Sequence, residues 1–188
     1  MQTFIFACGL LFAFAQKSVA QSAPQAVDLG IENVVQLQDK WCWAAASEQI
    51  IWWLTGNDVP QCELVATAFN SAAQTGICCN YPYTCNLPGQ ISQIQSLILA
   101  YGGHYSTSGR PGTPMEVYQT LTRGRAIIMQ LNTSPTIGHI VVIRGMEWQY
   151  GPYGFQPVFF INDPMQRYTT PVYFSQLARI WGSAIVVY

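Results

Sequence analysis

The sequence predicts an α+β domain in which a helical lobe is followed by an antiparallel sheet, with a cleft between the two. In the first part of the chain, apolar residues recur at three- and four-residue spacing, as in amphipathic helices. Beyond Gly124 the pattern changes to short runs of branched and aromatic residues separated by Gly, Pro and Asn, as in strands. A chain of 188 residues requires only one such domain.

The N-terminal residues 1–20 resemble a secretory signal peptide. An apolar run over 4–15 is followed by the small-x-small sequence Ser18-Val19-Ala20. An uncleaved membrane anchor is the alternative, but the run is short for a bilayer. We therefore expect a secreted or periplasmic protein with no stable membrane association after cleavage. It would have a lead-in over 21–33 and a domain over 34–188.

Charged residues make up only 9% of the chain, and Lys and Arg form no cluster. This composition argues against a nucleic-acid partner, because phosphate contacts need concentrated positive charge. We expect a monomer that needs no cofactor.

Five cysteines follow the signal peptide: Cys42, Cys62, Cys78, Cys79 and Cys85. An odd number in an oxidising compartment leaves one free thiol, and Cys42 lies apart from the other four. A bridge between adjacent cysteines is strained, so we expect Cys62 to pair with Cys78 or Cys79, and Cys85 with the other. The alternative is a four-thiolate zinc site, but Cys78-Cys79 lacks the C-x-x-C spacing.

Four helices are predicted in the first part of the chain, over about 42–54, 61–73, 90–100 and from Thr113-Pro114 to near Gly124. Three alanines at 44–46 favour the first helix, and Gly56-Asn57 ends it. The segment 76–89, rich in Cys, Pro and Tyr, is predicted to be a loop.

The predicted strands cover 126–131, 139–143 continuing toward Trp148, 158–161 and 184–187. A short strand at Val34-Val35 is also expected before the polar loop that precedes Cys42.

Cys42 occupies the start of the first predicted helix, within Trp41-Cys42-Trp43-Ala44-Ala45. Amide groups at a helix start favour an anion, so a thiolate nucleophile is suited to this position. Such a nucleophile needs a nearby base, and the base needs a group that orients it.

Only two histidines exist. His104 lies in a Gly/Ser-rich loop and is interpreted as a spectator, whereas His139 begins an apolar strand at Gly138-His139-Ile140. A polar ring at a strand mouth can face a cleft, so His139 is the candidate base. A purely structural histidine is the alternative.

Asp163 ends an apolar strand and is the candidate orienting group, although an Asp-Pro turn is its structural alternative. Asn162 is the next choice, since alternation directs neighbouring side chains to opposite faces. For the oxyanion, Gln36 or Gln38 could supply a donor beside the Cys42 N–H, and Gln36 is preferred.

This set of motifs resembles the papain-like cysteine peptidase superfamily: Gln, Cys-Trp-Ala at a helix start, Gly-His before a strand, then Asn-Asp-Pro. The resemblance covers about 33–188. It is strongest to the compact secreted bacterial branch related to plant-pathogen effector proteases and bacteriocin-leader-processing peptidases. Papain itself has asparagine where this chain has Asp163.

The resemblance implies a papain-like fold and hydrolysis of peptide bonds in a protein or peptide substrate. Cys42 would attack, His139 would act as base and then acid, Asp163 would orient it, and Gln36 or Gln38 would bind the oxyanion. An acyltransferase or deamidase with the same residues, or a non-catalytic binding module, are the alternatives. Trp148, Tyr150 and Tyr153 are candidates for a cleft rim.

Overall fold

The computed structural model describes residues 22–69, 72–109, 112–134, 138–167 and 171–188. The predicted signal peptide lies outside these residues. Within them, no helix combines the length and the apolar character that crossing a membrane requires.

The described residues contain six α-helices: α1 (Cys42–Thr55), α2 (Gln61–Ala68), α3 (Ala72–Asn80), α4 (Ile91–Gly102), α5 (Pro114–Thr122) and α6 (Phe174–Leu177). The predicted starts of α1, α2 and α5 are confirmed. Gly56 ends α1 in the left-handed conformation, with φ of 74°, which glycine adopts without steric cost.

The prediction of one helix over 61–73 followed by a loop was wrong. α2 ends at Ala68, and α3 extends to Asn80, followed by a 3₁₀ turn at Pro82–Cys85. Gly76, Cys78 and Cys79 have low helix propensity, but α3 packs against α2 and is joined to it by a disulfide. Tertiary contacts therefore outweigh local preference in this segment.

Seven strands form one antiparallel sheet in the described part of the chain: β1 (Val27–Asp28), β2 (Ser106–Gly109), β3 (Ile127–Asn132), β4 (Gly138–Gly151), β5 (Gly154–Asn162), β6 (Val172–Tyr173) and β7 (Trp181–Val187). Their order is β2-β7-β3-β4-β5-β6, and β1 pairs with β4. The α+β prediction is confirmed.

The strands of the structure differ from the prediction in several places. β4 continues to Gly151 and forms a long hairpin with β5, and the polar edge strand β2 had no apolar signal. Val34-Val35 is not a strand; side chains of Gln49 and Gln61 bind its backbone carbonyls instead.

Both faces of the sheet are covered. One face packs against α1, α2 and α4 through residues that include Ile128, Ile140 and Val142. The other carries Val141, Phe159 and Trp181, together with residues of α5 and α6. α1 packs against β4, and the first residue of α1 lines the same cleft as the start of β4.

Candidate active site

Cys42 is the first residue of α1 and is half-buried. The tryptophans on either side of it are buried, and each indole donates a hydrogen bond to a backbone carbonyl at or just after the end of the 3₁₀ turn. Trp41 Nε1 lies 2.9 Å from the Cys85 carbonyl, and Trp43 Nε1 lies 3.1 Å from the Leu87 carbonyl. These bonds fix the helix start on both sides of the thiol.

Two disulfides join this region, Cys62–Cys79 and Cys78–Cys85, and Cys42 is the free cysteine among the residues of 22–188 that the structure describes. The predicted pair of bridges is confirmed, and the structure decides between the two pairings. Since all four sulfurs are oxidised, they cannot form the four-thiolate zinc site.

His139, the second residue of β4, and Asp163, directly after β5, are brought together at the same end of the sheet. His139 Nε2 lies 2.6 Å from Asp163 Oδ1, and the two residues are 2% and 1% exposed. The Cys42 side chain is close enough to the imidazole to influence its pKa, and both residues line the same cleft.

The carboxylate of Asp163 is held in place by its own turn. Its Oδ1 accepts from the Met165 N–H at 2.8 Å, and its Oδ2 accepts from the Arg167 N–H at 2.7 Å. The Asp-Pro turn and the contact with His139 therefore coexist. Asn162 points elsewhere and donates to the Ile31 carbonyl at 2.8 Å.

The pKa of His139 reflects opposing effects. Burial lowers it, but the hydrogen bond to Asp163, the nearby Cys42 side chain and the negative charge of Asp163 outweigh burial and raise it from 6.5 to about 9. The imidazolium is therefore the favoured form of His139 at neutral pH.

Gln36 lies in the irregular segment before α1 and is half-buried. Its Nε2 donates to the Gln38 carbonyl at 2.7 Å, and its backbone N–H donates to the Pro164 carbonyl at 3.1 Å. The lining of the cleft, as far as the chain is described, includes neither Gln36 nor Gln38.

The cleft has a volume of about 910 Å³ and contains both Cys42 and His139. One wall is the segment Pro88–Ser92 and the other is the start of β4; Lys40, Asp39 and Arg167 add charges of both signs. A pocket of this size accommodates an extended segment of a few residues.

The prediction that aromatic side chains form the rim of the cleft was wrong. Trp148, Tyr150 and Tyr153 lie along the β4–β5 hairpin and are absent from the described cleft lining. His104 is likewise absent from that lining, and its Nδ1 contacts the Tyr188 carbonyl.

Two buried polar residues near the site were not among the predicted site residues. Glu48 lies on α1 and contacts Gln61 at the start of α2. Burial raises the pKa of Glu48 from 4.5 to about 7; the hydrogen bond from Gln61 opposes this shift, and a hydrogen bond and repulsion with Asp58 add to it. Only the spatial approach of α1 and α2 brings these groups together.

Comparisons with known proteins agree with this fold. The model of the Peptidase_C39 like family matches residues 28–184. A crystal structure from Bacillus anthracis, assigned provisionally as a C39-like peptidase, superposes with a TM-score of 0.57. That match has 14% sequence identity and covers 88% of this chain and 98% of the other. A search of curated proteins gave no match. The family match covers most of the chain, and this protein therefore belongs to the Peptidase_C39-like family.

Proposed function

We propose that this protein is a secreted cysteine peptidase in which Cys42, His139 and Asp163 act as one catalytic unit. The observation that carries the proposal is the position of the His139 ring, which bonds Asp163 through Nε2 and lines the same cleft as Cys42. Family membership supports a peptidase scaffold.

In the first half of the reaction, the Cys42 thiolate attacks the carbonyl carbon of the scissile peptide bond. The carbonyl oxygen becomes an oxyanion, and the His139 imidazolium gives its proton to the leaving nitrogen. The peptide C–N bond breaks, the new amine departs, and the acyl group remains on Cys42 as a thioester.

In the second half, neutral His139 takes a proton from water as the water oxygen attacks the thioester carbonyl. The C–S bond then breaks, which releases a carboxylic acid and restores the thiolate–imidazolium pair. Asp163 keeps the ring oriented and stabilises its charged form through both steps.

We assign binding of the oxyanion to two donors, the Cys42 backbone N–H and the Gln36 side-chain amide. Each Gln36 Nε2 hydrogen can serve a different acceptor, and the Gln38 carbonyl uses one of them. We assign the other hydrogen to the oxyanion. Gln38 contributes its backbone carbonyl to this arrangement and is the weaker candidate.

Secretion is supported by the signal-like residues 1–20 and by the two disulfides, which persist in oxidising compartments. We expect a mature monomer that begins at Gln21. N-terminal sequencing of protein recovered from the medium or periplasm tests this assignment, and retention of residues 1–20 would contradict it.

The catalytic proposal is tested by incubating a peptide library with the purified mature chain and identifying products by mass spectrometry. We expect new peptide termini with the wild type, none with Cys42→Ala, and a loss of about 10²- to 10⁴-fold in kcat with Asp163→Asn. A one-dalton gain would indicate a deamidase, and a cross-link would indicate an acyltransferase. No product with any amide or ester substrate would indicate a binding module.

A further inference from the structure

Gln61 is the first residue of α2, is 1% exposed, and has every polar atom of its amide engaged. Its Oε1 accepts from the Leu37 N–H at 2.9 Å, and its Nε2 donates to the Val35 carbonyl at 2.9 Å. The second Nε2 hydrogen goes to Glu48 Oε2 at 2.8 Å. One side-chain amide thus binds the backbone on both sides of Gln36.

We propose that Gln61 is a positioning residue for the oxyanion site, because it clamps the two residues that flank Gln36. This inference rests on the proposed peptidase function and adds to it a residue that does not touch the substrate. Gln61 acts through the backbone at Val35 and Leu37.

The two hydrogen bonds from Gln61 to Val35 and Leu37, here called the clamp, are among several bonds that fix this short segment. The Gln36 N–H binds the Pro164 carbonyl, next to Asp163, and the Asn33 side chain binds the Asp163 carbonyl at 3.3 Å. Three consecutive residues, Val35, Gln36 and Leu37, therefore have backbone groups held by α2 or by the turn after β5. This segment needs such bonds because no strand partner supplies them.

Glu48 connects the clamp to the nucleophile. It is 8% exposed and lies on α1, the helix that begins at Cys42. Through Glu48 and Gln61, the Gln36 segment is therefore held relative to the same helix whose first N–H is the other oxyanion donor. The arrangement fixes the spacing of the two donors, which transition-state stabilisation requires.

Loss of the Gln61 amide would leave the Val35 carbonyl and the Leu37 N–H without these partners. The segment would then move toward water to satisfy them. A displacement of about 1 Å at a catalytic group can reduce a rate by about 10²-fold. Attack by sulfur on a saturated carbon develops no oxyanion and would be unaffected.

Two probes separate these reactions in the mature full-length protein. p-Nitrophenyl acetate acylates Cys42 through an oxyanion, and release of p-nitrophenol reports the acylation rate after subtraction of a Cys42→Ala blank. Iodoacetamide alkylates the same thiol by direct displacement. The ratio of the two rate constants isolates the oxyanion contribution from the reactivity of the thiol.

For Gln61→Met, we expect this ratio to fall about tenfold or more, with an alkylation rate near that of the wild type. Gln61→Asn keeps a polar amide but is one methylene shorter, so it should fold and still lower the ratio. Thr113→Ala is the matched control: it removes the N-cap of α5, away from the cleft, and should lower the urea midpoint of unfolding while keeping the wild-type ratio.

Wild-type ratios in both folded Gln61 variants would overturn the clamp and leave the peptidase proposal intact. A ratio that falls equally in Thr113→Ala would also overturn it, because the effect would then follow stability alone. If the wild type itself is not acylated above the Cys42→Ala blank, the proposed function fails, and the clamp fails with it.

Discussion

The Trp41 indole nitrogen lies 2.9 Å from the carbonyl oxygen of Cys85, so the residue before the free cysteine is hydrogen-bonded to a residue of a disulfide. Cys85 is bridged to Cys78 on α3, and Leu87 binds Trp43 in the same way. The disulfide-containing segment thus supports the start of α1 as well as closing a loop.

Replacing both Cys78 and Cys85 by serine should lower the free energy of unfolding by about 2–3 kcal/mol, because the unfolded chain regains the entropy of a short loop. It should also slow alkylation of Cys42 several-fold, because Trp41 and Trp43 lose a fixed partner. Urea unfolding and iodoacetamide kinetics measure the two effects.

The matched control is the Cys62→Ser/Cys79→Ser variant, whose bridge joins α2 to α3 and does not contact either tryptophan through a backbone carbonyl. It should lose stability while Cys42 is alkylated at the wild-type rate. Equal alkylation rates in both double variants would show that the Cys78–Cys85 bridge does not support the nucleophile.

Gly89 lies against the face of the Trp43 ring. A Cβ at this position would be 2.1 Å from Trp43 Cδ2, so Gly89→Ala should displace the tryptophan or the cleft wall. We expect a loss of about 1–3 kcal/mol in unfolding free energy, typical of overpacking, and a lower kcat/KM.

Gly76→Ala is the control for Gly89→Ala. Gly76 is exposed on α3, with no atom within 4 Å of an added Cβ, so alanine there should raise stability by about 0.5–1 kcal/mol. Wild-type stability and activity in Gly89→Ala would contradict the close packing on Trp43.

Glu48 should make folding less favourable as pH rises. Its carboxyl has a pKa of about 7 in the folded protein against an ordinary value of 4.5 for the unfolded chain, so the folded form retains a proton that the unfolded form has released. Stability from this residue is therefore present below pH 4.5 and is lost as pH rises through 7. In Glu48→Gln, urea titrations between pH 4.5 and 7 should lack this decline; the same decline in both proteins would assign it to another group.

His139 should contribute stability in a higher pH range. Its pKa is raised to about 9, so its contribution is complete below about 6.5 and is lost as pH rises through 9. The unfolding free energy of the wild type relative to His139→Gln should fall by up to about 3 kcal/mol over this range. A difference that is constant with pH would mean that the imidazolium is not stabilised by Asp163 and Cys42.

The helix starts and the buried strands could be predicted from sequence because strong local signals coincide there with burial, as in Ala44–Ala46 and Ile140–Ile143. β2 could not be predicted, because its residues are polar and only pairing with β7 makes them a strand. α3 was missed for the related reason that disulfides and packing stabilise a weak helix.

The residues of the candidate site were likewise only partly predictable from sequence. Cys42, His139 and Asp163 are recognisable because each reactive side chain adjoins the end of an apolar element. Gln61 and Glu48 give no such signal: they lie 13 residues apart, and their contact depends on how α2 packs on α1. The periodic pattern of apolar residues in a sequence gives no signal for residues that act through tertiary hydrogen bonds.

The most direct test of the catalytic unit is the rate constant for iodoacetamide alkylation of Cys42 at about pH 6 in the wild type and in His139→Ala. A free thiol is almost entirely protonated at this pH, whereas a thiolate paired with an imidazolium is not. We predict alkylation at least about tenfold faster than that of free cysteine in the wild type, and a fall to the free-cysteine rate in His139→Ala. A wild-type rate equal to that of free cysteine, unchanged by the substitution, would contradict the assignment of Cys42 and His139 as a reactive pair.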